Sequence, residues 1–263
     1  MIRAIFFDID GTLLSYRTRS ILPGTIEAFR QLRAKGIRTF ISSGRPRVLI
    51  PPLQLTFDGY ITVNGGLCAV GDNQIILRNP INTDDCRRWL EYVEQHNLVT
   101  MCFTENEMFI NRIDDAVMRL HDQLGFDMPP IKPIKELYLS CEEESSSTPY
   151  QFIAMQPAAD DEKVLSILNH CRMPRWHPAF TDVIPDDSSK AVGIECILKH
   201  YGIDREETMA FGDGANDIEM LDYVGTGVAM GNAADIVKQH ADYVTDDADS
   251  EGILHALQNL HII

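Results

Sequence analysis

Residues 5–14 read Ile5-Phe6-Phe7-Asp8-Ile9-Asp10-Gly11-Thr12-Leu13-Leu14. An apolar run reaches a carboxylate, steps over one residue to a second, and breaks at Gly-Thr. Such a run predicts a strand buried on both faces, as in a parallel sheet. Gly11 suits a turn whose backbone other residues resist. Asp8 is then expected at the carboxyl end of a central strand, with Asp10 in the loop just beyond. Ligands of open α/β sheets bind at that end, so the pair is a candidate site that the rest of the chain must complete.

Outward from this stretch, 23–35 (PGTIEAFRQLRAK) predicts a helix. Pro23 suits its first turn, apolar residues recur at helical spacing, and Gly36 stops it. Strands are expected at 37–42 and 60–63, and a hairpin over 67–77 about Gly71-Asp72-Asn73. This alternation marks a parallel α/β sheet. After Asn79-Pro80 the pattern changes. Helices are expected at 83–97, 114–124 and 160–171, strands at 99–103, 107–111, 135–141 and 150–155, and extended chain over 175–184. The acidic, Ser-rich run 142–148 reads as a mobile loop. The parallel pattern resumes with a helix at 189–201 and a strand at 208–211. The fold class is therefore α/β: a Rossmann-like parallel-sheet core over 1–80 and 183–263, with an α+β module inserted over 81–182.

The net charge of −16 argues against nucleic acid or an anionic membrane as partner, since both need a basic footprint. A small anionic substrate stays compatible, because a metal and a few local cations reverse the field inside one pocket. No apolar run approaches a membrane span, and the run before Asp8 is too short for a signal-peptide core. The six cysteines form no C-x-x-C pair, which fits free thiols in a reducing cytoplasm. No obligate protein partner is evident.

Five elements fall at expected strand ends or helix starts: Asp8 with Asp10, Ser43-Gly44, Asn64-Gly65, Lys190, and Asp213-x-x-Asn216-Asp217. Asp8, Asp10 and Asp213 in one pocket crowd negative charge, which demands a cation. Mg²⁺ is the natural partner, being hard, oxygen-seeking, and usually held by one or two carboxylates plus a phosphate. Ser43 offers a hydroxyl and Gly44 an open N–H to phosphate oxygens. Lys190 adds a point charge at a helix start, where the dipole also favours an anion. Acids, a metal, a hydroxyl and one lysine describe phosphoryl transfer. As a nucleophile Asp8 can form an aspartyl-phosphate, and Asp10, two residues on, can move protons if its carboxyl is held protonated.

FDIDGTL, SSGR, Lys190 and GDGAND, in this order and spacing, resemble the haloacid dehalogenase superfamily of aspartate-nucleophile phosphatases. The insert is similar to that of the Cof-like sugar-phosphatase branch, which carries a large α/β cap. The resemblance spans essentially the whole chain. It implies Asp8 as nucleophile and metal ligand. Asp10 is implied as general acid/base, lending its backbone carbonyl to Mg²⁺. It also implies Ser43 and Lys190 at the phosphate, Asp213 as metal ligand, Asn216 near the phosphate, and Asp217 supporting the metal shell or the lysine. Many relatives carry Thr where this chain has Ser43, a departure that keeps the hydroxyl. The resemblance further implies small phosphorylated substrates, mostly sugars, and a cap that closes over the site and sets specificity.

Other residues have blander readings. Arg45 reads equally as substrate contact or structural ion pair, and Asn64-Gly65 as a turn. Trp89, Trp176, Met101, Met108 and Phe109 read as packing, and the histidines show no metal-ligand spacing. The run 225–231 has the wrong spacing for a dinucleotide loop. Two other functions stay open. A phosphomutase or phosphotransferase would share the aspartyl-phosphate but pass the group to a second hydroxyl. A receiver-like switch would hold the group without turnover, which Asp10 and the large insert argue against. An aspartyl-phosphate cation pump is excluded by the missing membrane spans.

Overall fold

In the computed structural model, which describes residues 1–124, 128–142, 148–175 and 177–263, the opening run is a strand, β1 (Ala4–Phe7), buried throughout. Its alternation serves two cores. Ala4 and Phe6 join the apolar cluster on one face of a sheet, Ile5 and Phe7 the cluster on the other. The chain continues through α1 (Pro23–Ala34), β2 (Arg38–Ser42), β3 (Gly59–Thr62), and the hairpin of β4 (Leu67–Val70) and β5 (Gln74–Arg78). Thr25, Ala28, Phe29 and Leu32 form the buried stripe of α1.

The next segment contains α2 (Thr83–Gln95), β6 (Val99–Phe103), β7 (Met108–Ile110), α3 (Asp115–Leu124), α4 (Ile134–Glu142), β8 (Gln151–Met155), α5 (Asp161–Leu165), β9 (Cys171–Arg172) and β10 (Thr181–Pro185). The first sheet is completed by β11 (Thr208–Gly212), β12 (Thr226–Ala229) and β13 (Tyr243–Val244), with α6 (Lys190–Tyr201), α7 (Ile218–Tyr223), α8 (Asp235–Lys238) and α9 (Gly252–Asn259) between and after them.

Two compact units result: Met1–Arg45, Ile50–Arg78 and Ser189–Ile263 form the first, Pro46–Leu49 and Asn79–Ser188 the second. The first holds an eight-stranded sheet in the order β13-β12-β11-β1-β2-β3-β4-β5. Its first six strands run parallel, and the β4–β5 hairpin adds an antiparallel edge. From β1 the chain winds one way through β2 and β3, and the other way through β11, β12 and β13. The order therefore reverses beside β1, and such a switch point opens a crevice at the strands' carboxyl ends. Helices α6 and α7 cover one face, α1 and α9 the other.

The second unit is a five-stranded antiparallel sheet, β7-β6-β8-β10-β9. Its apolar core gathers Trp89, Leu90 and Val93 of α2 against Cys102, Phe152 and Val183. The Trp89 indole N–H donates to Thr100 Oγ1 at 3.2 Å, so the ring is buried with its polar atom satisfied. Met101, Met108 and Phe109 are buried as well.

Three expectations change. The expected boundary at 182/183 falls inside β10, whose residues through Pro185 pair with β8 and β9, so the insert extends to Ser188. Residues 135–141 are helical, not extended. Ile134, Leu137 and Tyr138 share one helical face on the apolar core, and that period overrides the strand-like Leu-Tyr-Leu composition. The helix expected over 160–171 stops early. The buried Asp85 carboxylate accepts the backbone N–H groups of Asn169 (3.0 Å) and His170 (2.7 Å), and Cys171 leaves in a strand. Trp176 and most of the expected loop, 143–147, lie outside the described residues.

Candidate active site

Every expected site residue belongs to the first unit, and most cluster just past the carboxyl ends of adjacent parallel strands. Asp8 follows β1, its N–H still donating to Phe211 O of β11 at 3.0 Å. Ser43 follows β2 and bonds Ile61 O of β3 through its N–H. Asp213 follows β11, and a short turn returns Asp217 beneath it. Both N–H groups of Asp213 and Gly214 point at Asp217 Oδ2, at 3.0 and 2.8 Å. Lys190 opens α6 behind the cap residue Ser189, whose side chain accepts the Val192 N–H.

Glycine is required at two points. Gly11 has φ +82°, and a methyl there would stand 2.2 Å from Asp213 Oδ2. Gly65 has φ +92°, and a methyl would stand 1.9 Å from Ser189 O, the residue that seats Lys190. The Asn64-Gly65 turn is thus a turn, as expected, but one that lets the start of α6 approach. Asn64 also accepts a hydrogen bond from Asn216 Nδ2 at 3.0 Å and lies beside Gly44, where a methyl would meet its Oδ1 at 3.1 Å.

Asp8, Asp213 and Asp217 are all buried, and one carboxylate oxygen from each lies within 4.8 Å of the others. The buried Lys190 ammonium bridges two of them, at 2.6 Å from Asp8 Oδ1 and 2.5 Å from Asp217 Oδ1. One ammonium does not balance three carboxylates. Burial first, then Asp217, Asp213 and Asp10, push the Asp8 carboxyl well above the usual carboxylate range against the pull of Lys190. Burial and Asp217 push Asp213 up to about 7, although Thr12 and Lys190 favour its charged form. Burial opposes the charge of Lys190, but Asp217 and Asp8 outweigh it and raise the lysine. This all-oxygen donor set with surplus negative charge fits a hard divalent cation.

The Asp10 carboxylate is not one of the three that meet. Arg45 holds both its oxygens, Nε to Oδ2 at 2.6 Å and Nη2 to Oδ1 at 2.8 Å, so the ion-pair reading of Arg45 is the observed one. The charge of Asp10 still raises Asp8 and Asp213, as the expected crowding requires, but the turn at Gly11 aims its carboxylate at the guanidinium of the β2 loop. Ser43 Oγ accepts the Arg45 N–H at 3.1 Å and is buried.

Sequence reasoning missed three participants. Thr12 Oγ1 donates to Asp213 Oδ1 at 3.1 Å. Asn232 Nδ2 donates to Asp213 Oδ2 (3.1 Å) and to Gly11 O (2.9 Å), tying the fourth motif to the first. Asn64, which the sequence reads as part of a turn, accepts from Asn216 of the fourth motif. Asn232 and Asn64 each lie just beyond a parallel strand, the same signal that marked Asp8.

A parallel sheet with clustered carboxylates and one buried lysine at its switch point defines a phosphoryl-transfer type of site. The comparisons agree. Residues 5–257 match the model of the haloacid dehalogenase-like hydrolases, and the chain belongs to that family. It is 33% identical to the putative phosphatase YkrA of Bacillus subtilis (strain 168), covering 99% of this chain and 98% of YkrA. It is 27% identical to the 5-amino-6-(5-phospho-D-ribitylamino)uracil phosphatase YitU of the same organism, covering 97% of this chain and 96% of YitU. Among solved structures, the HAD subclass IIB sugar phosphatase BT4131 superposes with a TM-score of 0.89 at 36% identity, over 99% of this chain and all of that one. The protein is a phosphatase of this family. No helix among the described residues is long and apolar enough to cross a membrane.

Proposed function

We propose that this protein hydrolyses phosphomonoesters of small polyhydroxylated metabolites, hexose phosphates foremost, with Mg²⁺ as its cation. One observation carries the reading: Asp8, at the end of the central strand, shares a buried ammonium with Asp217 inside a three-carboxylate cluster. The substrate class draws support from BT4131, a sugar phosphatase, and from YitU, whose named substrate carries its phosphate on a ribityl chain. The inserted unit contributes to substrate choice, and the protein acts in the cytoplasm without an obligate partner, nucleic acid or membrane.

In the first half-reaction an Asp8 oxygen attacks phosphorus, the bond from phosphorus to the ester oxygen breaks, and Asp10 gives the leaving alkoxide its proton. In the second, water attacks the phosphorus of the aspartyl-phosphate and loses a proton to Asp10. The bond to Asp8 breaks, and inorganic phosphate leaves. The Asp10–Arg45 pair opens whenever Asp10 exchanges a proton with the ester. Lys190 balances charge on Asp8 and the phosphoryl group, while Ser43, the Gly44 N–H and Asn216 hold its oxygens. Asp8, Asp213 and the Asp10 carbonyl would hold the metal, with Asp217 as ligand or support. Bound there, it neutralises negative charge on the phosphoryl oxygens.

The test is phosphate release over phosphorylated hexoses, pentoses, nucleotides and cofactor phosphates, with Mg²⁺ and with a chelator. Hexose phosphates should lead, and chelation should stop turnover. Turnover undiminished by chelation would remove the metal. An isomeric sugar phosphate in place of inorganic phosphate would make the protein a phosphomutase.

A further inference from the structure

Tyr16 is the one large aromatic side chain among the described residues that stands more than half exposed, at 67%. It is not on a loose loop. Leu13 and Ser15 on its N-terminal side are buried. Ser15 Oγ accepts the N–H groups of Arg17 (3.0 Å) and Thr18 (3.1 Å) and donates to Asp249, and Arg19 N bonds Ser15 O at 2.9 Å. Gly11 N bonds Leu14 O at 2.7 Å, so the turn carrying Tyr16 is fastened to the turn that follows Asp8 and Asp10.

The ring's position is fixed by what Gly11 lacks. A methyl at Gly11 would lie 2.4 Å from Tyr16 Cε2 and 2.2 Å from Asp213 Oδ2. The ring edge and that carboxylate are therefore neighbours across one missing side chain. One edge of Tyr16 borders the carboxylate cluster, while most of the residue faces outward. Its hydroxyl makes no hydrogen bond among the described residues. A phenol normally buries its ring and satisfies its oxygen. Here a hydrogen-bonded turn presents it unburied beside Asp213 of the carboxylate cluster.

We propose that Tyr16 is a specificity-determining residue: its exposed face forms the wall on which the carbon skeleton of the leaving group packs while the phosphoryl group meets Asp8. The inference rests on the substrate class given under Proposed function. A sugar ring suits such a wall, since its C–H faces are apolar and its hydroxyls lie at the rim. An aromatic side chain supplies flat apolar area at little entropic cost, because it has only two torsions to fix. Lys190, Ser43, the Gly44 N–H and Asn216 take the phosphate end, which leaves the alcohol end to Tyr16.

The experiment compares wild type, Tyr16→Ala, Tyr16→Leu and Tyr16→Phe on a hexose phosphate and on acetyl phosphate, which has no ring to pack. For Tyr16→Ala the ratio of kcat/KM, hexose phosphate over acetyl phosphate, should fall about tenfold or more, mainly through KM, as loss of apolar contact does. Tyr16→Phe should keep at least about a third of the wild-type ratio, because it keeps the packing face. Tyr16→Leu should fall between them. Titration of Mg²⁺ by calorimetry reports separately on the carboxylates. An unchanged ratio in Tyr16→Ala overturns the inference. So does an equal fall on both substrates with weakened Mg²⁺ binding, which would make Tyr16 a cover for the carboxylates. A ratio in Tyr16→Phe as low as in Tyr16→Ala assigns the effect to the hydroxyl and also overturns it. A wild type that hydrolyses acetyl phosphate but no sugar phosphate instead overturns the substrate class, and this inference with it.

Discussion

Two buried aspartates, one in each unit, serve opposite ends. Asp85, in the second unit, is fully buried, and its oxygens are occupied by the N–H groups of Asn169 and His170 and by Arg88. Asp213, in the first, is nearly as buried, and burial together with the neighbouring charges of Asp217 and Asp10 pushes its carboxyl up to about 7. Partners thus satisfy the first, which stitches a helix to a loop. The second is left short of positive charge, and that shortage is what a cation and a phosphoryl group relieve. Burial of a charged residue alone does not mark a site. Burial beside uncompensated charge of the same sign does.

The largest effect expected of a single change is on Asp8. Asp8→Asn should lower turnover on the order of ten-thousand-fold, because it removes the attacking oxygen's charge. Its thermal midpoint should not fall, since one of the crowded charges goes with it. A variant keeping more than a tenth of wild-type turnover in a phosphate-release assay would break the assignment.

Gly65→Ala probes the same cluster from its backbone. A methyl 1.9 Å from Ser189 O must displace the start of α6 and Lys190 with it. Misplacement of about 1 Å lowers turnover on the order of a hundredfold. The check is kcat against folded content by circular dichroism.

In the second unit the readout is stability. Asp85→Ala strands two buried N–H groups and should cost about 2–4 kcal/mol in urea unfolding. Asp85→Asn, which keeps one acceptor oxygen, should cost less. Equal losses would show that charge, not hydrogen bonding, matters there.

The pH dependence of the two units should differ in sign. Asp213 is raised in the fold, so the native state binds more protons than the unfolded chain between the ordinary aspartate value of 3.8 and about 7. Its contribution is present at low pH and is lost as pH rises through that window. Without divalent cation the midpoint should therefore drop by roughly 5 °C across it, and Mg²⁺ should restore it most above pH 7. Asp161 of the second unit is opposite. Burial would raise it, but hydrogen bonds from Arg175 and Gln156 prevail and hold it below the usual range. Its contribution, about 1 kcal/mol for a partly exposed pair, is present above the unfolded value and lost as pH falls through the lowered one. Wild type and Asp161→Asn should differ in urea midpoint at neutral pH and converge in strong acid.

Much of the first unit was legible in the chain because its signals are local. An apolar run ended by a polar residue reports a strand end whatever the strand pairs with, and Asp8, Ser43 and Asp213 were found that way. The second unit was read less well. The strand-like residues of 135–141 form a helix because Ile134, Leu137 and Tyr138 meet one apolar cluster. The helix begun at Asp161 stops short of Asn169 and His170, whose N–H groups go to an aspartate more than eighty residues away in the chain. Neither partner is visible from within its own segment.

The amino-acid sequence by itself determined the α/β core, the interruption after Asn79-Pro80, and the residue types of the site, because hydrophobic period and turn chemistry act over a few residues. Only the tertiary structure decided which of those residues meet. Strand order set Asp213 beside Asp8, the loop after β2 paired the Asp10 carboxylate with Arg45, Asn232 reached back to Gly11, and Gly11 left room for Asp213 and Tyr16 to converge. These are contacts across up to 221 residues of chain. Their geometry follows from how parallel strands stack, which no single segment encodes.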